Sequence, residues 1–174
     1  MISVLGQLAV DGKSNEITAV PKLLEMLSLK GTIVTADALN CQRAIAQQVV
    51  DQGGDYVLAL KGNQGTLHDD VKLFFDDPQV RPDSTDAAVD AGHGRIETRA
   101  SRVSTDIAWL QDQHHWPGLT AIGTLTRSRE IGSEITTETA YYLLSTPLSA
   151  QRFGDIVRHH RGSRAASIGS STSP

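Results

Sequence analysis

The 174 residues are the size of one domain, and 39% hydrophobic content supports a substantial core without help from disulfides or metal, while a single cysteine, Cys41, excludes a disulfide framework and a cysteine-based zinc site. No run approaches the ~18 apolar residues of a membrane span, and Met1 to Val10 lacks the basic start of a signal peptide, so a reducing cytoplasm is the expected compartment. The net charge of −4 does not advertise a phosphate-gripping surface, yet 7 Lys and Arg face 13 acids in residues 1–90 whereas 9 Arg face 7 acids in residues 91–174; an all-Arg half suits bidentate phosphate contacts, and codon bias produces the same composition.

In chain order, Ile2 to Val10 alternates as a strand does, and Asp11-Gly12 turns the chain. Ser14 or Asn15 caps a helix from about Ile17 to Leu29, with Pro21 in its first turn and Leu23, Leu24 and Leu27 on one face. Thr32 to Ala36 is a short β-branched run typical of a strand covered on both sides, and Asp37 follows it. Cys41, Ile45 and Val49 then repeat at four, which predicts a helix that Gly53-Gly54 ends. Tyr56 to Leu60 is a second buried strand, followed by Lys61-Gly-Asn-Gln64 and a helix to about Phe75. Strand, helix, strand, helix with short joints indicates an α/β layer with parallel strands.

Residues 76–92, rich in Asp and Pro, read as a solvated loop. Three β-like segments follow, around Arg95–Val103, Leu119–Arg127 and Glu138–Leu144, with a turn at Trp116-Pro117-Gly118. Ser149 caps a helix from Ala150 to about His160. Ser163 to Pro174 holds five Ser and one Thr without periodicity and is expected to be disordered.

Three constellations offer chemistry. Asp37 stands where an open α/β sheet gathers its ligands and is a hard-oxygen donor suited to Mg²⁺; a solvated Asp or a helix cap is the plainer account. Lys61, Asn63 and Gln64 leave the next strand on the same rim, where Lys61 offers a charge to phosphate, although a turn with a cap has the same residues. His93, Arg95, Glu97 and Arg99 alternate onto one strand face, either as contacts or as paired surface charges. The pairs His114-His115 and His159-His160 point different ways, poor spacing for a metal.

Together, Gly6-Gln7, Lys13-Ser-Asn-Glu-Ile17, Gly31-Thr-Ile-Val-Thr-Ala-Asp-Ala38, Gln42, Gly54-Asp-Tyr-Val-Leu-Ala-Leu-Lys-Gly-Asn-Gln64, Gly92-His-Gly-Arg-Ile-Glu-Thr-Arg99 and Trp116-Pro-Gly-Leu119 resemble, in order and spacing over roughly residues 2–161, the DDE transposases of the H-repeat-associated (ISAs-type) insertion sequences. The resemblance implies an RNase H-like fold: α/β, a mixed sheet flanked by helices with an inserted β-rich segment. It also implies metal-dependent DNA cleavage and strand transfer, in which two Mg²⁺ or Mn²⁺ ions held by three carboxylates activate an attacking oxygen. By position Asp37 matches the second of those acids, catalytic and metal-binding. Lys61, Asn63 and Gln64 match a neighbouring motif and, with His93, Arg95 and Arg99, are read as DNA contacts. Terminal-repeat DNA is the implied partner, with no membrane and with self-association through an unpaired sheet edge.

The first acid of the family belongs to an Asp-Gly-Lys motif upstream of this chain's first matching string, and Asp11-Gly12-Lys13 sits too close to Ser14-Asn15-Glu16-Ile17 to replace it. The third belongs to a His-Trp-Gly-Ile-Glu segment expected after Val157-Arg158. Codons for Ile-Glu-Ser-Arg-Leu-His-Trp-Val-Leu-Asp-Val-Thr, read one base late, encode Ser163 to Pro174, which points to a frameshift near Gly162. The organisation expected is a partial, incomplete core over residues 1–75, a loop and β-rich insertion over 76–148, the start of the returning catalytic helix over 149–161 and a disordered tail over 162–174. The function expected is that of an inactive transposase fragment; the alternative is a non-catalytic DNA-binding or dimerising fragment that modulates intact copies.

Overall fold

The computed structural model describes residues 4–5, 13–38 and 41–169, with side chains for 20–38 and 41–160. Among the described residues seven strands form one mixed sheet: β1 (Val4–Leu5), β2 (Ile33–Ala36), β3 (Asp55–Leu60), β4 (Ser84–Gly92), β5 (Arg95–Ser104), β6 (Ala121–Ile131) and β7 (Glu134–Leu144), in the spatial order β1-β2-β3-β7-β6-β5-β4. The first three are parallel, β7 turns antiparallel against β3, and β7 to β4 continue antiparallel. The β-rich segment expected as an insertion is therefore continuous with the core sheet. Apart from Val4 and Leu5, the opening strand read over Ile2 to Val10 lies outside the described residues.

Period-two alternation sorts the strand residues between two cores. Val34, Tyr56, Leu58, Leu60, Ile122 and Leu143 enter a larger cluster built with α1 (Lys13–Met26), α2 (Arg43–Asp51), α3 (Thr66–Asp76) and α4 (Ala108–His114). Ile33, Val57, Val103, Ala121, Tyr142 and Leu144 point the other way, onto Phe153, Ile156 and Val157 of α5 (Ala150–Gly169). Strands β2 and β3 are thus covered on both faces, which explains their unbroken apolar sequence. The period of four from Cys41 holds, because Ile45 and Val49, with Ala46 beside them, are the buried positions of α2 and Cys41 joins them in the core.

Several elements differ from expectation. Helix α1 starts at Lys13 and stops at Met26, so Pro21 lies inside it. Gln48 on α2 donates to the Pro21 carbonyl at 2.8 Å, and Gln52 donates to those of Leu24 and Leu27 at 2.6 and 3.3 Å, so the neighbouring helix satisfies acceptors at the end of α1. The loop read over residues 76–92 shrinks, because β4 occupies Ser84–Gly92 and pairs with β5 along its whole length. As an edge strand it buries little, and its Asp residues suit a solvated border that discourages further pairing. Helix α4 carried too few apolar residues to be read from periodicity; Leu110 is its one buried side chain. The backbone of α5 runs to Gly169, past the expected end near His160 and into the tail read as disordered. Arg164, Ala165 and Ala166 are good helix formers, and a helix requires no apolar stripe of its own to continue an anchored one. Residues 170–174 lie outside the described residues.

Candidate functional site

Ala36 pairs with Leu58 across the parallel β2 and β3. Asp37 and Lys61 therefore both leave the carboxyl ends of adjacent parallel strands, on one rim. Lys61 is exposed. Asn63 and Gln64 do not point away from the protein as free groups. The Asn63 amide donates to the Ala38 carbonyl at 3.0 Å, and the Gln64 amide donates to the Cys41 carbonyl. A motif read as DNA contacts thus ties the turn after β3 to the loop that carries Asp37. Glycine at position 65, with φ +53°, lets the chain leave that turn and enter α3.

Asp37 also meets α5. His160 Nε2 lies 3.3 Å from Asp37 Oδ1, and His160 Nδ1 lies 2.9 Å from the Thr35 hydroxyl. The adjacent pair His159-His160 has poor spacing for a metal, but a different signal singles out His160: Phe153, Ile156, Val157 and His160 follow the i, i+3, i+4, i+7 spacing of one helix face, and the first three are buried. A histidine ending that stripe is aimed at the sheet. The other histidine pair divides differently, with His114 bonded to Asp70 at 2.7 Å and His115 left-handed at φ +47°. Among the described residues no three His, Cys, Asp or Glu side chains gather closely enough to hold a metal ion. Burial pushes the Cys41 thiol up to about 12, which keeps it protonated and unreactive at neutral pH.

The register also places the β4–β7 sheet relative to this rim. Leu60, the last residue of β3, pairs with Tyr141, so Glu134 to Ala140 extend beyond it by roughly 20–25 Å at strand spacing. The antiparallel ribbon therefore projects from the same end of the sheet as Asp37 and Lys61. His93 is not on the strand face with Arg95: with φ +53°, followed by Gly94 at +73°, it forms the two-residue turn between β4 and β5. That geometry matches a type I′ hairpin, whose twist fits the flanking strands. Arg95 begins β5 exposed.

Arg99 is committed to protein. Glu97, only 5% exposed, bonds to Arg99 Nη2 and lies 3.6 Å from Arg129 Nη2, so the paired-charge account describes this face. Burial opposes ionisation of Glu97, but Arg99, Arg127 and Arg129 together outweigh it and hold the carboxyl below its ordinary value of 4.5. With the folded value depressed, the stabilisation is complete above the unfolded value and disappears as pH falls through the folded one. The wild-type chain is therefore expected to lose more melting temperature than Glu97→Gln between about pH 6 and 3. Parallel acid profiles of the two proteins, followed by circular dichroism, would contradict this.

The chain matches the family model described as "Transposase DDE domain" over residues 2–162. It is 44% identical over 143 residues to the "Uncharacterized protein in dhlA 3'region" of Xanthobacter autotrophicus, covering 82% of this chain and 48% of that protein. Two Escherichia coli K12 proteins, each named an "H repeat-associated putative transposase", are also similar. YhhI is 38% identical over 164 residues, covering 90% of this chain and 43% of its own length; YbfD is 47% identical over 98 residues, covering 55% and 39%. The chain spans less than half the length of these relatives.

Proposed function

Because this chain belongs to the transposase DDE domain family, we propose that it is a segment of a catalytic core for DNA cleavage and strand transfer, that DNA is its partner, and that alone it is inactive. The observation that carries this reading is the shared rim: Asp37 and Lys61 leave adjacent parallel strands at the end where open α/β sheets gather ligands. A carboxylate and a lysine there suit a divalent cation and a phosphate respectively. No helix among the described residues is long and apolar enough to cross a membrane.

When bound, Mg²⁺ or Mn²⁺ supplies charge neutralisation and an activated oxygen. The residues at this rim suit that role only in part. Asp37 offers one carboxylate, with no three potential ligands clustered among the described residues. Such a site fits an ion that completes its shell with water and substrate phosphates, and it does not fit a two-ion arrangement. What this chain's own residues contribute is narrower. Lys61 meets a backbone phosphate, Asn63 and Gln64 hold the Asp37 loop in place, and the ribbon, with His93 and Arg95 near its tip, extends the surface available to DNA. Arg99 serves that surface indirectly, through its bond to Glu97.

Purified chain incubated with terminal-repeat DNA and Mg²⁺ or Mn²⁺ is expected to nick it no faster than Asp37→Ala does. Nicking that exceeds background and vanishes in Asp37→Ala would overturn the inactive reading. DNA binding is expected to weaken with salt, and Lys61→Ala to lower the slope of log K against log[salt] by about 1. An unchanged slope would remove Lys61 from the contact surface.

A further inference from the structure

We propose that His160 is a positioning residue for Asp37, oriented in turn by Thr35. This inference rests on the reading of Asp37 as the metal-binding acid. Three elements meet at this point: Thr35 in β2, Asp37 just after it, and His160 on α5, 123 residues further along the chain than Asp37. The His160 side chain is 11% exposed and that of Asp37 20%, while Thr35 is buried, so the contacts are largely withdrawn from water.

With Asp37 ionised and the His160 ring neutral, the direction of both hydrogen bonds follows. An ionised carboxylate only accepts, so His160 Nε2 carries the proton shared with Asp37 Oδ1. In a neutral imidazole Nδ1 is then an acceptor, and the Thr35 hydroxyl must donate to it. Thr35 is β-branched and has restricted rotamers, which makes it a rigid orienter. The relay from Thr35 through His160 holds one Asp37 oxygen in a fixed place. Outer partners of a metal-ligating carboxylate act in this way, and losing one typically weakens metal binding about 10- to 100-fold.

The arrangement also gives the end of α5 a task beyond packing. Phe153, Ile156 and Val157 anchor the helix on the sheet, and His160, one turn further, brings it to the rim. Asn63 and Gln64 also restrain this loop, through the carbonyls of Ala38 and Cys41.

Two measurements on the whole chain decide the matter. In ¹H–¹⁵N spectra of histidine-labelled protein at alkaline pH, where a neutral imidazole carries one proton, His160 is expected to show an Nε2–H resonance protected from solvent exchange. That protection should be lost in Asp37→Ala and reduced in Thr35→Val, which keeps the shape of the side chain. No protected resonance, or one indifferent to Asp37→Ala, overturns the proposal. Free Mn²⁺ followed by paramagnetic resonance supplies the second readout. His160→Ala is expected to weaken Mn²⁺ binding about 10- to 100-fold, with partial recovery in His160→Gln, whose amide can still donate. Equal Mn²⁺ affinity in wild type and His160→Ala, where Asp37→Ala does lose affinity, also overturns it. If wild type and Asp37→Ala bind Mn²⁺ equally poorly, the assignment of Asp37 to metal fails, and the relay is judged on the protected proton alone.

Discussion

Replacing Phe153 by alanine is expected to destabilise the chain by about 3–5 kcal/mol and to lower its melting temperature by on the order of 10 °C. Phe153 is fully buried and meets Tyr142 edge to face at 5.2 Å. It fills the space left by Gly123, where an added Cβ would stand 2.9 Å from the ring. The ring is thus the principal wedge between α5 and the sheet, and alanine would leave a cavity that a stiff β-sheet cannot collapse around. Thermal unfolding followed by circular dichroism measures the effect. A loss below about 1 kcal/mol would mean that α5 is not seated on β6 and β7 as described, and the placement of His160 beside Asp37 would fall with it.

Gly118→Ala has the second large expected effect, about 2–5 kcal/mol, from two sources. The residue has φ +68°, a region in which a side chain costs about 1–2 kcal/mol. Its new Cβ would also stand 2.5 Å from Val50 Cγ2 on α2, and overpacking of this kind costs about 1–3 kcal/mol. Adding Val50→Ala removes the obstructing methyl without relieving the backbone. The double variant should recover the steric part, giving a coupling of at least about 1 kcal/mol in urea unfolding. Strict additivity would show that the turn does not press on α2. The same turn accepts a hydrogen bond from the Tyr56 hydroxyl through the Pro117 carbonyl, so it touches both α2 and β3.

Much of this molecule follows from local pattern. The apolar runs of β2 and β3, the four-residue period leading into α2 and the cap at Ser149, whose hydroxyl accepts from the Arg152 amide, need only nearest neighbours and burial to specify them. Because parallel strands separated by helices share a carboxyl end, the common rim of Asp37 and Lys61 was also legible from the strand-helix-strand order. The string Gly92-His93-Gly94 carried a hairpin signal as well, but alternation hid it: reading His93 and Arg95 as one face counted the turn residue as strand.

What lay beyond the sequence were relations between residues far apart along the chain. Nothing local to β4 distinguishes an acidic loop from an edge strand; the partner β5 makes the difference by pairing its backbone while its side chains stay in water. The side chains of Asn63 and Gln64 suit DNA as well as they suit two carbonyls, and only the approach of the Asp37 loop assigns them to the carbonyls. Glu97 reads as a surface charge until Arg129, one strand away, is brought alongside it. His160 reaches Asp37 because a wedge of phenylalanine, isoleucine and valine sets the path of α5 across the sheet, and that path is a property of the packed core, in which side chains from five strands fix where one helix can lie.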